Sequence, residues 1–423
     1  MTFAIPRDPS AKATRFEGPR TALAAGIIVC FGLIPSFHLA ALQMLTLLML
    51  VHVVLCGRFA FARPANVGIA HLFLAQFIII SALNAYAFTS LEGNLRHFRS
   101  VALESYAVTA VGTVLALVFV HRQRDLKALI IRWLPVGLIL SFVTMCVFFF
   151  AVQGNRAQAF SPNALLPPIW FTALTFASFC WFHDLSRSHK ILRLGLLALA
   201  AIMGLMSGGR MILLIWIFGS ALLLAGLVLT RPNRRPLRDL ALLVPGFGIA
   251  LAGLLTLDAL TGGTVAMRAM HTVNSFRDFG LSKQGFFRLE LWHAALQIIE
   301  QTWPWGAGIV NEKYLLYQLV ERDWWYRAHQ TYLSYAIGGG VIGVVSGLML
   351  QVACLGLLKG AASRRAFWPA TLGLFAVPAL NGLTESVFQS YLNVQVYVLF
   401  CIVFFQASYT EQATSRRDVT NLP

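Results

Sequence analysis

Apolar runs of similar length alternate with short polar connections along most of the chain. A helix needs about 20 apolar residues to cross the ~30 Å hydrocarbon core of a bilayer, and runs of that kind recur about twelve times. We therefore predict membrane-spanning helices at 20–37, 39–56, 68–88, 103–121, 128–152, 164–182, 191–206, 211–229, 238–256, 330–357, 367–383 and 387–407.

One connection, residues 257–329, is much longer than the others. Within it, FFRLELWHAALQIIEQ (286–301) places apolar residues at helical spacing with polar residues on the other faces, which predicts an amphipathic helix. TWPWGAG (302–308) ends that helix with proline and glycine, and a second helix is expected at about 311–322. A loop of this length is usually functional or independently folded.

These patterns predict an all-α, polytopic integral membrane protein of about 12 transmembrane helices with one large helical loop. Three parts are expected. They are an N-terminal bundle of about nine helices (1–256), the large loop (257–329), and about three C-terminal helices with a short tail (330–423).

Composition agrees with a membrane protein, since 58% of the 423 residues are hydrophobic and only 12% are charged. A water-soluble domain could not hide that much apolar surface. The net charge of +16 falls mainly on the side that holds the N-terminus, which places both termini in the cytoplasm and the long loop outside. The basic excess thus reflects topology, and we expect no nucleic-acid binding.

Three arginines lie on the outward side, where the positive-inside rule makes them least expected. Arg210 follows SGG between two apolar runs, where free helix amides and a guanidinium suit a phosphate. Arg288 lies in the first turn of the loop helix and either repeats this arrangement or pairs with Glu290 or another acid of the loop. Arg156, in GNRAQAFSPN, is explained equally well by solvation. Together they suggest a recess for a polyanionic headgroup.

His329 lies where the long loop meets the tenth apolar run. An imidazole can accept a proton near neutral pH, so His329 is a candidate general base, although a lone interfacial histidine is more often structural. Glu385, the acid between the last two runs, could orient this histidine or the acceptor. No cluster has metal-ligand spacing, and no carboxylate pair suggests glycosidase chemistry.

The order of these motifs resembles the O-antigen ligase family, from about 156 to 345. The motifs are SGGRMILL, then R-x-E-L-W-x-x-A-L-x-x-I with P-x-G-x-G, then A-H-Q-T-Y-L opening the next run. The family is related to Wzy-type O-antigen polymerases and to protein O-oligosaccharyltransferases. The family commonly has Asn after the histidine, where this chain has Gln330, and its usual motif around Arg156 is only partly present.

The resemblance implies a bacterial inner-membrane glycosyltransferase of lipopolysaccharide biosynthesis, acting at the periplasmic face without a metal, nucleotide or other cofactor. Its donor would be a glycan on undecaprenyl diphosphate, and its acceptor a lipid A-core sugar hydroxyl. His329 would be the catalytic base in an inverting displacement. Arg210 and Arg288 would bind the diphosphate, and the same role for Arg156 is the least supported of the three.

Three other functions remain open at this stage. A Wzy-type polymerase joins two lipid-linked repeats, but such enzymes tend to have two large arginine-rich outward loops. A protein O-oligosaccharyltransferase would be favoured by a large soluble C-terminal extension, and only a short tail is expected here. A lipid-linked sugar transporter needs ionisable groups through the bundle, and the apolar runs have few.

Overall fold

The computed structural model describes thirteen α-helices, labelled here in chain order. The described residues are 17–37, 39–56, 110–120, 123, 125–153, 165–207, 210–230, 283–320, 328–359, 361–385, 387 and 391–420, with isolated positions between 252 and 274. The helices are α1 (Glu17–Phe37), α2 (Leu39–Cys56), α3 (Ala110–Val120), α4 (Leu126–Val147), α5 (Leu166–Ala177), α6 (Arg187–Ser207), α7 (Arg210–Leu229), α8 (Lys283–Thr302), α9 (Ile309–Val320), α10 (Thr331–Ala353), α11 (Ala361–Thr371), α12 (Val377–Asn381) and α13 (Tyr391–Thr420).

The all-α expectation agrees with these ranges, which contain helices and turns and no strand. Within the described residues, six helical segments are long and apolar enough to cross a membrane: Arg20–Phe37, Leu126–Phe150, Arg187–Ser207, Met211–Leu229, Thr331–Leu358 and Asn393–Gln412. Shorter apolar helices lie at Ala40–Leu55, Ala110–Val120 and Leu166–Ala177. The predicted spans 68–88 and, apart from isolated positions, 238–256 lie outside the described residues. The count of twelve therefore stays a prediction.

The predicted span 367–383 belongs to a longer helical run that is interrupted by a wide π turn, Leu372–Ala376, between α11 and α12. Pro378 has no N–H to donate back into the preceding turn, which favours a local departure from α geometry. At the same place Gly373 packs against the Ala173 backbone of α5, where a Cβ would collide. The π turn thus coincides with a close helix contact.

Helix α13 lies at the centre of the bundle, since its residues from 393 to 405 are all buried. Phe400 contacts Phe31 of α1 and Trp170 of α5, and the Trp170 indole donates to Asn393 at 3.2 Å. The helix continues to Thr420, beyond the predicted end at 407. Polar contacts with the start of α11 accompany this extension, among them Ser408 to Ser363 at 3.0 Å.

Helix α10 is broken at Gly340, whose φ of 52° lies in the left-handed region. The break turns the two halves of the helix toward each other. The Tyr332 hydroxyl donates to Gln351 Oε1 at 3.0 Å, although a straight helix would separate these residues by about 28 Å. Before Gly340 no residue of α10 is exposed, whereas Val341, Ile342 and Val345 beyond it are. The first half of α10 is therefore enclosed by protein.

Candidate active site

Helices α8 and α9 pack on α10 and form a small core beside the main bundle. On α8, Leu291, Ala295 and Ile298 are buried, and Glu290 and His293 are exposed, as the amphipathic pattern predicts. Ala294, Ala307, Leu316, Ala328 and Ile337 complete this second core. The predicted loop helices are confirmed in these ranges, and their apolar faces attach them to the start of α10.

The turn between α8 and α9 docks into the break of α10 through backbone hydrogen bonds. Val341 N–H donates to the Pro304 carbonyl at 3.0 Å, and Gly308 N–H donates to the Gly338 carbonyl at 3.0 Å. Gly306, at φ 80°, lies so close to the Gly340 backbone that it has no room for a Cβ. The glycines of the P-x-G-x-G motif and of α10 thus fix the loop against the helix that follows His329.

His329 itself has a left-handed backbone conformation, with φ 50°. A residue with a side chain is uncommon there and needs support from its surroundings. The backbone of the preceding residue supplies it, because Ala328 N–H donates to Glu312 Oε1 at 2.8 Å and the Ala328 carbonyl accepts from the Trp292 indole at 2.9 Å. Two loop helices therefore hold the two peptide groups on either side of the Ala328 Cα, and the second of these leads into the histidine.

The His329 side chain lies against Glu385, on the connection between α12 and α13. Its Nδ1 is 3.3 Å from Glu385 Oε2, and Arg288 Nη2 donates to the other oxygen, Oε1, at 2.9 Å. The Glu385 side chain is only 10% exposed, and those of Arg288 and His329 are each 27% exposed. One enclosed carboxylate therefore bridges two of the predicted site residues, both of which reach solvent.

The backbone around Glu385 is held by Thr331, the first residue of α10. Thr331 Oγ1 donates to the Glu385 carbonyl at 2.8 Å and accepts from Val387 N–H at 3.0 Å. Thr331 N–H donates to the Gly382 carbonyl at 2.8 Å. Gln330, between His329 and Thr331, is the N-cap of α10, and its side chain accepts from Leu333 N–H. Asn is a preferred N-cap residue, so Gln330 here makes the capping bond that an Asn at this position would also suit.

Arg210 is the first residue of α7, immediately after the two-residue connection that follows α6. Near the other end of α7, Gly226 lies against Trp368 of α11, and α12 packs on α7. The helical run from Trp368 to Asn381 extends about 20 Å. Since it begins beside the end of α7 and continues along that helix, it is antiparallel to α7. This places the Arg210 backbone at the end of the bundle that holds Glu385. The Arg210 side chain and all of Arg156 lie outside the described residues.

The site places a candidate general base, His329, beside a candidate anion-binding group, Arg288. Because a carboxylate only accepts hydrogen bonds, His329 Nδ1 carries the proton toward Glu385, and Nε2 is then the basic nitrogen. Arg288 carries a fixed positive charge and five N–H donors in a plane, a geometry suited to phosphate oxygens. The described residues contain no group of three His, Cys, Asp or Glu that could hold a metal ion.

Residues 194–348 match the family model described as O-antigen ligase. Over this segment, which is less than half of the chain, the protein is similar to the O-antigen ligase family. No curated protein sequence matches the chain. The match includes Arg210, Arg288 and His329 but begins after Arg156, so the predicted resemblance near that arginine is not part of it.

This similarity supports a ligase- or polymerase-type function in general, since members of that family are membrane glycosyltransferase-like enzymes and the family implies lipid-linked glycan substrates. Glu385 lies beyond the matched segment, yet it contacts both Arg288 and His329 inside it. The candidate site is therefore completed by a residue from the last part of the chain.

The motifs of the sequence do not identify Glu312, Trp292 and Thr331, which hold the backbone on either side of His329. One signal for Glu312 was present, because IVNEKYLLYQLV places this acid on the same helical stripe as the buried Leu316. An acid on an apolar stripe needs a buried partner. No comparable signal singles out Thr331, since a threonine at the start of an apolar run is unremarkable.

Proposed function

We propose that this protein is an O-antigen ligase of the bacterial inner membrane. It transfers a glycan from undecaprenyl diphosphate to a sugar hydroxyl of the lipid A core, at the periplasmic face and with inversion at the anomeric carbon. The observation that carries this proposal is the contact of Arg288 and His329 with the two oxygens of Glu385. It joins a phosphate-binding group and a base in one enclosed site.

The proposed reaction is a single displacement. The acceptor hydroxyl oxygen attacks the anomeric carbon of the donor, a new C–O bond forms there, and the bond from that carbon to the diphosphate oxygen breaks. The hydroxyl proton passes to His329 Nε2, and the electron pair of the broken bond leaves with the diphosphate. General-base catalysis of this kind contributes about 10²- to 10⁴-fold in rate.

Glu385 has two tasks in this mechanism. It accepts from His329 Nδ1, which fixes the tautomer in which Nε2 is basic, and it stabilises the imidazolium that forms when the proton arrives. It also holds Arg288 at the site before substrate binds. Because Glu385 neutralises Arg288, a second cation is needed to balance a bound diphosphate, and Arg210 is proposed for that role.

The position of Arg210 supports this assignment through its backbone. It opens α7 at the end of the bundle that holds Glu385, and the first amides of a helix favour an anion. A guanidinium at a helix N-terminus is mildly disfavoured by the helix dipole alone, but a phosphate between the two reverses that balance. Arg156 stays a prediction from the sequence.

The test is complementation of a deletion strain, read on lipopolysaccharide gels together with the lipid-linked glycan pool. His329→Ala and Arg288→Ala should abolish long-chain lipopolysaccharide while undecaprenyl-linked polymer accumulates. His189→Ala and Arg187→Ala are matched controls, because both residues lie at the start of α6, away from the site, and they should restore wild-type chains. Membrane levels of every variant are measured in parallel.

Two results would overturn the proposal. Normal amounts of capped lipopolysaccharide in cells with His329→Ala remove the base from the mechanism. A deletion strain whose core carries one repeat unit, with no accumulated polymer, indicates a Wzy-type polymerase instead. Complementation separates these outcomes because the ligase acts on finished chains and the polymerase makes them.

A further inference from the structure

Glu312 of α9 is a buried carboxylate to which the proposed mechanism gives no task. It is 1% exposed, and its Oε1 accepts from two uncharged donors, Ala328 N–H at 2.8 Å and the Ser334 hydroxyl at 2.8 Å. A buried carboxylate is costly unless hydrogen bonds compensate for its lost hydration. An apolar side chain on this stripe would pack with less cost, so the carboxylate calls for a specific reason.

The two donors lie on either side of His329 in the chain. Ala328 directly precedes it, and Ser334 lies in the first turns of α10. One oxygen of Glu312 therefore ties the segment before the histidine to the helix after it. The Trp292 indole donates to the carbonyl of Ala328, which belongs to the next peptide group, at 2.9 Å.

The backbone at Ala328 determines the direction of the histidine. His329 has φ 50°, and rotation of the Ala328–His329 peptide group would change that angle and move the imidazole away from Glu385. Trp292 holds the carbonyl of this peptide group, and Glu312 holds the N–H on the other side of the Ala328 Cα. A left-handed conformation at a residue with a side chain is unfavourable and persists only where the surroundings impose it. Glu312 and Trp292, on two different loop helices, supply that constraint.

We propose that Glu312 is a positioning residue, which holds the backbone N–H of Ala328 and, together with Trp292 on the Ala328 carbonyl, directs the His329 imidazole toward Glu385. This inference rests on the proposed function of His329 as a base. Glu312 acts only as a hydrogen-bond acceptor and does not exchange a proton with substrate. Through it, the packing of α9 controls whether the site is assembled.

The deciding comparison is Glu312→Gln against Glu312→Leu. Glutamine retains an oxygen at Oε1 that accepts both hydrogen bonds, whereas leucine fills similar space and accepts neither. For purified enzyme with a lipid-linked glycan donor, we expect Glu312→Leu to lower kcat roughly 10- to 100-fold while KM for the donor changes by less than about twofold. Glu312→Gln should stay within about threefold of the wild-type kcat.

Hydrogen exchange, followed by mass spectrometry, tests the constraint without relying on activity. Glu312→Leu should accelerate exchange of the amides at 328–331, and Glu312→Gln should not. Ser334→Ala removes the Ser334 hydroxyl donor but keeps the Ala328 contact, so it should leave exchange at 328–331 near wild type. Glu300→Gln, at an exposed position of α8, is the external control.

Equal losses of kcat in Glu312→Gln and Glu312→Leu would overturn the inference, because the acceptor oxygen would then not be the relevant feature. Unchanged exchange at 328–331 in Glu312→Leu would overturn it as well. Failure of the proposed function is seen separately, as retained transfer by His329→Ala. The hydrogen-exchange result would then still report whether Glu312 holds the backbone at Ala328.

Discussion

Arg288 and Glu385 are 97 positions apart in the sequence, and Arg288 Nη2 lies 2.9 Å from Glu385 Oε1. The pair links the start of α8 to the connection between α12 and α13. A partner within the loop was one of the expectations for Arg288, and that expectation is wrong, because the nearby Glu290 points to an exposed face of α8. An ion pair instead links α8 to the connection between α12 and α13.

Replacing Arg288 with lysine should separate charge from geometry. Lysine keeps the positive charge but cannot direct a planar set of N–H donors to Glu385 and a phosphate oxygen together. We expect Arg288→Lys to retain a measurable rate, reduced about 10- to 100-fold, and Arg288→Ala to fall below it. The measurement is transfer by purified enzyme at saturating acceptor, with donor concentration varied.

Arg187→Lys is the matched control, since Arg187 is an exposed arginine at the start of α6. Its rate should equal that of the wild type. If Arg288→Lys is as active as the wild type, a point charge is sufficient, and the guanidinium geometry has no role in binding the donor.

The large elements of this fold could be predicted from the sequence because their physical cause is local. The apolar run 191–206 is within a few residues of α6, and the predicted loop helix 286–301 is within a few residues of α8. Length and apolar periodicity determine such helices. The interruptions could not be placed in the same way, since the φ of Gly340 reflects the docking of a separate turn against it.

The break at Gly340 gives a stability prediction. A Cβ at this position would collide with the Pro304 carbonyl, and φ 52° is unfavourable for alanine. We expect Gly340→Ala to destabilise the protein by about 2–4 kcal/mol, through strain at this backbone conformation and loss of the contact with the turn. Thermal unfolding of purified protein in detergent micelles measures the effect.

Gly195→Ala provides the comparison, because Gly195 lies inside α6 and a Cβ there meets no atom within 4 Å. Alanine has the higher helix propensity, so this variant should be unchanged or more stable by up to about 1 kcal/mol. Equal stability of the two variants would contradict the role assigned to the break.

Arg193 shows why the arginines of this chain cannot be sorted by residue type alone. It lies inside the candidate span of α6 and is fully buried, with Nε donating to the Ser178 carbonyl at 2.8 Å and Nη2 donating to the Ile131 carbonyl at 2.6 Å. Its hydrogen bonds join α4, the end of α5 and α6. Only the fold distinguishes this structural arginine from Arg288 at the candidate site.

Removing the Arg193 side chain should therefore reduce stability without changing catalysis. Arg193→Met keeps much of the volume but leaves two carbonyls without this donor, which should cost about 2–4 kcal/mol. The rate per folded molecule should match the wild type. Thermal unfolding in micelles and a transfer assay at a temperature where both proteins are folded test the two parts. A selective loss of rate with normal stability would show that Arg193 contributes to the site.

Thr331 differs from Arg193, because replacing its neutral side chain should reduce both stability and catalysis. Thr331→Val keeps the branched shape but removes the hydroxyl that donates to the Glu385 carbonyl and accepts from Val387 N–H. These two backbone groups are then left without that partner, which should cost about 1–3 kcal/mol in stability. Because Glu385 orients both Arg288 and His329, transfer should also fall, by about tenfold.

Thr331→Ser keeps the hydroxyl and should restore most of the rate. If Thr331→Ser is as slow as Thr331→Val, the methyl packing and not the hydroxyl holds Glu385 in place.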